Sequence, residues 1–233
     1  MWARAARMAV QEQFEPLRDP DRAVAMTAYM KDVAPFLGIG AAARRKAQRI
    51  AWAALSPPDR EQLLAGCAEL QGMPEREYHY AATELMGRWL AVVQPPDLDA
   101  TVARLLLTLP WWDTVDLWGS AVITPLVRRH PQLHEVMWRW NGSNDQWLIR
   151  ASIQHQRGLG AATDVPLLLA LCEPHVADGR FWVAKGIGWA LRDTTRFDVA
   201  AVAEFVAAHP DLSAVARREA TRGITRAMAP GQA

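Results

Sequence analysis

Apolar positions recur at three- and four-residue intervals along almost the whole chain, the spacing of one helical face. No run alternates apolar and polar as a half-buried strand would. Proline, glycine and aspartate interrupt this pattern at short intervals. The breaks fall at Asp19-Pro20, 38–40, Pro57-Pro58, 72–74, Pro95-Pro96, Pro110, His130-Pro131, Gly142, 158–160, Pro174, Gly179 and Pro210. Between them lie about a dozen segments of roughly 10 to 18 residues, the ordinary length of a globular helix. Many helices on short connections predict an all-α fold, either a bundle or a helical-repeat solenoid.

A loose repeat favours the solenoid. Trp111, Trp147 and Trp182 each open a predicted helix pair, at spacings of 36 and 35 residues. This approaches the ~40-residue period of HEAT-type repeats. The second helices of the three pairs are predicted over 131–140, 165–171 and 198–208. Stacked pairs set their first helices on one surface and their second helices on the other, and the curl makes one surface concave.

Composition narrows the class. The chain has 233 residues, 51% of them hydrophobic, which is ample for one domain spanning 1–233. No apolar run reaches the ~18 residues of a membrane span, and Val165–Cys172 comes nearest. The opening MWARAARMAV is basic, but its apolar stretch is too short for a signal peptide, and Gln11, Glu12 and Glu15 follow. The expectation is a cytoplasmic, monomeric protein with no membrane association. Cys67 and Cys172 are far apart in the chain and predict two buried free thiols.

The net charge of +1 does not mark a nucleic-acid binder and argues against a basic tail, but it leaves open a basic face. Among the 26 basic residues only Lys31, Lys46 and Lys185 are lysines. Arginine's planar fork suits phosphate, and a GC-rich genome produces the same bias. Eight of the 11 tryptophans fall between Trp111 and Trp189. No metal or cofactor is expected. His130 and His134 are four apart, but Pro131 stands where a zinc-protease helix carries its glutamate. The GxG fragments at Gly38, Gly158 and Gly186 follow no strand, and Gly186 and Gly188 suit close helix packing.

Three predicted first helices carry candidate chemistry. Over 181–196, Val183, Ile187, Ala190 and Leu191 form an apolar stripe, while Lys185, Trp189, Arg192 and Arg196 share the opposite side. Trp189 is therefore either a tryptophan packed under arginine stems or an aromatic plate among phosphate-binding cations. Over 144–157, Arg150, Gln154 and Arg157 share a face, which reads equally as a solvated polar stripe. In Trp111-Trp112-Asp113-Thr114-Val115-Asp116, Asp113 and Asp116 fit a variant capping box. Yet Trp112, Asp116 and Ser120 lie on one side and Val115, Trp118 and Val122 on another. Trp112, Arg150 and Trp189 are 38 and 39 residues apart, similar levels of successive repeats.

The segments WWDTVDLWG, WLIRASIQ and GIGWALRD, in this order and spacing, resemble the AlkD-like DNA alkylation-repair glycosylases. YMKDVAPFLGI, residues 29–39, is similar to that family's opening segment. The likeness covers nearly the whole chain. One departure is that Gly40 and three alanines follow Gly38-Ile39 where the family usually has a proline, which bears on local helix geometry.

The resemblance implies a HEAT-like curl with a concave, positively charged groove for double-stranded DNA. It implies that Asp116 is the catalytic carboxylate and that Trp112 and Trp189 are aromatic walls against the lesion. It further implies that Arg150 and Arg192 hold backbone phosphates, and Lys185 joins them on the basic face. The implied activity is excision of cationic N3- or N7-alkylated purines, with the lesion left in or near the stack. Two other readings use the same scaffold: a catalytically silent binder of damaged or branched DNA, and a HEAT-type protein-interaction scaffold.

Overall fold

The structure is a computed structural model that describes residues 1–229. Every regular element among the described residues is helical. The chain divides into two compact units, residues 1–122 and 123–233. No helix among the described residues is long and apolar enough to cross a membrane.

The first unit holds α1 (Trp2–Phe14), α2 (Pro20–Tyr29), α3 (Ala41–Ala53), α4 (Arg60–Gln71), α5 (Arg76–Arg88), α6 (Ala103–Leu106) and α7 (Trp112–Trp118). Helix α1 packs on α3 and α4, α4 on α5, and α5 on α7. Most starts follow the predicted breaks. Asp19 caps α2 through Arg22 N, and Asp59 forms a reciprocal capping box with Gln62. The family-like segment 29–39 leaves α2 through Lys31 and Asp32, both with positive φ. It then docks on Glu77 of α5. This fully buried carboxylate accepts from Leu37 N at 2.8 Å and from Gly38 N and Ile39 N at 3.0 Å. Three amide donors replace the water that an ionised carboxylate would lose on burial. Gly38 has φ +87°, and an added Cβ would lie 2.1 Å from Asp19 O. Helix α3 starts at Ala41 with Gly40 as its N-cap, so the departure from the family's proline leaves the helix start in place.

The second unit holds α8 (Thr124–Arg129), α9 (His134–Asn141), α10 (Gln146–Gln154), α11 (Val165–Cys172), α12 (Phe181–Thr194), α13 (Val199–Ala208) and α14 (Ala214–Met228). The predicted second helices correspond to α9, α11 and α13. Helix α12 packs between α10 and α14, with α11 and α13 against this row. The core joins Ile149, Ile153, Leu168, Leu171, Val183, Ile187, Leu191, Val202 and Phe205. Gly188 allows a close approach of α12 to α14: an added Cβ would lie 2.8 Å from Glu219 Cβ and 3.1 Å from Ala216 Cα.

The repeat period is written in the hydrogen bonds. In the first unit Gln71 reaches Thr108 O and Arg76 reaches Asp113, each across 37 residues. In the second, Arg180 reaches Asn144 O across 36 residues and Lys185 reaches Glu219 across 34. The Trp147 and Trp182 rings, at corresponding places in successive pairs, have centroids 6.0 Å apart. Within each unit, helix pairs thus bond to a successor one repeat along, as a helical-repeat fold requires. Both thiols are free and buried, and burial pushes Cys172 up to about 12.

Candidate functional site

In the first unit, α7 separates its faces as its pattern predicts. Val115, Trp118 and Val122 are buried, Trp112 and Asp116 are half-buried, and Ser120 is exposed. The capping-box reading is corrected here. The N-cap is Trp111, and it makes no side-chain cap bond. Asp113 lies inside the helix and belongs to Arg76 of α5, accepting from Nε at 3.0 Å and Nη2 at 2.6 Å. Tyr80 Oη donates to the same carboxylate at 2.6 Å. Arg76 is 1% exposed, and so buried a guanidinium needs a carboxylate more than the helix end needs a cap. Arg76 also donates to Leu109 O at 2.6 Å, tying down a residue with φ +49°. Asp113 is thereby fully engaged, and Asp116, one turn later, is a mid-helix carboxylate at partly exposed depth.

In the second unit, α12 carries Trp189 half-buried among cations. The charged groups of Arg150, Arg157, Lys185 and Arg192 lie 5.1, 5.3, 6.0 and 5.8 Å from its ring. Each is within the ~6 Å over which a cation feels the π-quadrupole. The cations differ in status. Arg150 has no exposed surface, donates to Trp182 O at 2.8 Å, and also lies 5.8 Å from the Trp182 ring. The predicted solvated stripe on α10 is thus corrected, because Arg150 and Gln154 are buried and only Arg157 is exposed. Helices α9, α11 and α12 all pack on α10 and leave it little open face. Fully buried, Arg150 offers no surface to a phosphate in this conformation and instead holds two tryptophan rings.

Lys185 and Arg192 converge on Glu219 of α14. Lys185 Nζ donates at 2.8 Å, and Arg192 Nη1 donates to the other oxygen. The Lys185 hydrogen bond, with Arg192 adding to it, holds the Glu219 carboxyl below the usual carboxylate range. Beside this pair runs a groove of about 760 Å³ lined by Arg192, Arg196, Arg222 and Arg226. The sequence reading missed Glu219, Arg222 and Arg226. Arg222 and Arg226 have the same four-residue spacing as Arg192 and Arg196, and that shared spacing was the available signal. Nothing local marked Glu219 as their counter-ion.

On this all-helical repeat fold, the arginine-lined groove and the cation-ringed tryptophan are groups whose chemistry suits a nucleic-acid backbone. The comparisons agree. A family model described as DNA alkylation repair enzyme matches residues 10–224, so the chain belongs to the DNA alkylation repair enzyme family. Comparison with curated proteins gives no match. Among solved structures, one described as a predicted DNA alkylation repair enzyme from Enterococcus faecalis superposes with a TM-score of 0.81 at 26% identity. The alignment covers 88% of this chain and 95% of that one.

Proposed function

We propose that this family member is a monofunctional, cytoplasmic DNA glycosylase acting on cationic N3- or N7-alkylated purines in duplex DNA. The observation that carries the reading is the cation-ringed Trp189 beside an arginine-lined groove. A scaffold that bound only proteins would have no use for that charge pattern. Asp116, not required as a cap, supplies the carboxylate.

The chemistry follows from the substrate. An alkylated purine carries positive charge and leaves as a neutral base, so no general acid is required. Cleavage builds an oxocarbenium-like sugar. Asp116 stabilises that charge and orients the attacking water. The Trp112 and Trp189 faces add cation–π attraction of about 0.5–2 kcal/mol each. Arg192 and Lys185, aimed by Glu219, meet phosphates together with Arg196, Arg222 and Arg226. Arg150 acts by positioning Trp189 and Trp182. Unmodified bases lack the leaving group and stay in place even when bound.

The test is a single-turnover assay on duplex DNA with one N7-methylguanine, followed by alkaline cleavage of abasic sites. Wild type is expected to cut, and Asp116→Asn to lose about 100-fold or more in rate while keeping its DNA affinity. Binding without scission by wild type would instead identify a silent binder. Full activity in Asp116→Asn would remove the carboxylate from the mechanism.

A further inference from the structure

Three side chains of α5, spaced four residues apart, form one row: Arg76, Tyr80 and Glu84. Arg76 holds α7 and the turn before it. Besides Asp113 and Leu109 O, it donates to Thr114 Oγ1 at 3.0 Å, and that hydroxyl donates to Trp111 O at 3.2 Å. Tyr80 Oη joins Arg76 Nε on one oxygen of Asp113, whose side chain is only 7% exposed. Glu84 accepts from Arg44 of α3 at 3.0 Å, and the Arg44 guanidinium lies 4.8 Å from the centre of the Tyr80 ring. The Tyr80 ring is thus held on its face by a cation and at its hydroxyl by an anion. Burial, and after it the Asp113 charge, keep the phenol above its ordinary range, so the hydroxyl stays a donor. The guanidinium already balances the Asp113 charge; what Tyr80 adds is a fixed direction for the carboxylate.

We infer that the Arg76–Tyr80–Glu84 row is a positioning device that sets the placement of Trp112 and Asp116, with Tyr80 its finest control. These two residues flank Asp113 in the chain, one immediately before it and one a turn after. A turn of helix moves as a unit, so whatever fixes the Asp113 carboxylate fixes them. The local sequence does little of this work. Helix α7 starts without a side-chain cap, and it follows Leu109, whose φ of +49° is strained for a leucine. The bonds from α5 supply what the helix start lacks. A misplacement of about 1 Å at a reacting group costs about 100-fold in rate, so a carboxylate that must face a transient sugar cation needs such a hold. Tyr80 is therefore a positioning residue that acts through Asp113. Its part in excision rests on the glycosylase reading above, whereas its hold on α7 does not.

The experiment uses the full chain and the variant Tyr80→Phe, which keeps the ring and its contact with Arg44 and removes only the hydroxyl. Native-state hydrogen exchange needs no substrate. The amides of residues 113–118 should exchange about tenfold faster in the variant, while those of α1 and α4 keep wild-type rates. In single turnover with saturating protein on the N7-methylguanine duplex, the variant should excise about tenfold more slowly with its affinity for that duplex unchanged. In an Asp116→Asn background, adding Tyr80→Phe should slow excision less than threefold, because the hydroxyl works by placing that carboxylate. Unchanged exchange across 113–118 overturns the inference. So does a rise shared equally by α1 and α4, which would make the hydroxyl a general stabiliser, or a full tenfold loss on top of Asp116→Asn. If wild type does not excise at all, the glycosylase reading fails, and the exchange measurement still decides whether α5 holds α7.

Discussion

The two units differ in what their buried and half-buried cations meet. In the first, charges are buried and matched: Arg76 against Asp113 and Tyr80, Glu77 against three backbone amides, and Arg44 against Glu84 at 3.0 Å. In the second, the row α10–α12–α14 buries Arg150 against Trp182 O and beside the Trp189 ring. Buried polar atoms without hydrogen-bond partners among the described residues occur in both units, at Gln48 and Gln71 in the first and at Gln154 and His155 in the second. The second unit gathers cations around one indole and along one groove. Pairing one repeat apart makes a rigid frame in the first unit. The cations gathered on one face of the second suit an anionic ligand.

The strongest way to break this contrast is to unpair the first unit. Arg76→Ala leaves Asp113 buried without its guanidinium and should cost about 3–5 kcal/mol in denaturant unfolding; a loss below about 1 kcal/mol would show that the pair is not structural. The next effect concerns the second unit's neutral interior. Burial holds His155 down, from 6.5 to about 4, with His134 adding to the depression and the bond to Ser152 O opposing it. The unfolded chain takes up a proton at higher pH than the folded one. Stability from this residue is therefore complete above about pH 6.5 and falls as the pH drops towards about 4, by roughly 3 kcal/mol at most. Thermal melts of His155→Gln should lose that slope.

Trp189→Ala tests recognition. Loss of a stacking plate is worth about 1–3 kcal/mol, so DNA affinity should drop about tenfold while the melting temperature changes little; unchanged affinity would make the ring mere cover for the arginine stems. The smallest effect should come from Glu219→Gln, which releases Lys185 and Arg192 from their counter-ion. DNA affinity should rise a few-fold at low salt, and the salt dependence should steepen by up to about 0.9 for each extra phosphate contact. Weaker binding would mean that aiming the two cations matters more than freeing them.

The facial placement of most candidate residues was legible in the chain, because helical periodicity is local. Trp189 fell among Lys185, Arg192 and Arg196 by angle alone, and Trp112 with Asp116 fell apart from Val115 and Trp118. The errors share one cause. Asp113 read as a cap because it precedes an apolar run, but its partner Arg76 lies 37 residues away. Arg150 and Gln154 read as solvated because their own helix offered no contrary sign, whereas three neighbouring helices cover them.

From the sequence alone came the all-helical class, the helix breaks, the repeat of about 36 residues, the likeness to a repair family and the residues on each face. These depend on spacing within one or two turns and on motif order. Only the tertiary structure decided which charges are matched, that Arg150 is buried, and that Glu219 joins Lys185 to Arg192. Burial and pairing between residues one repeat apart depend on which helices lie side by side. A periodicity read within single helices does not contain that information.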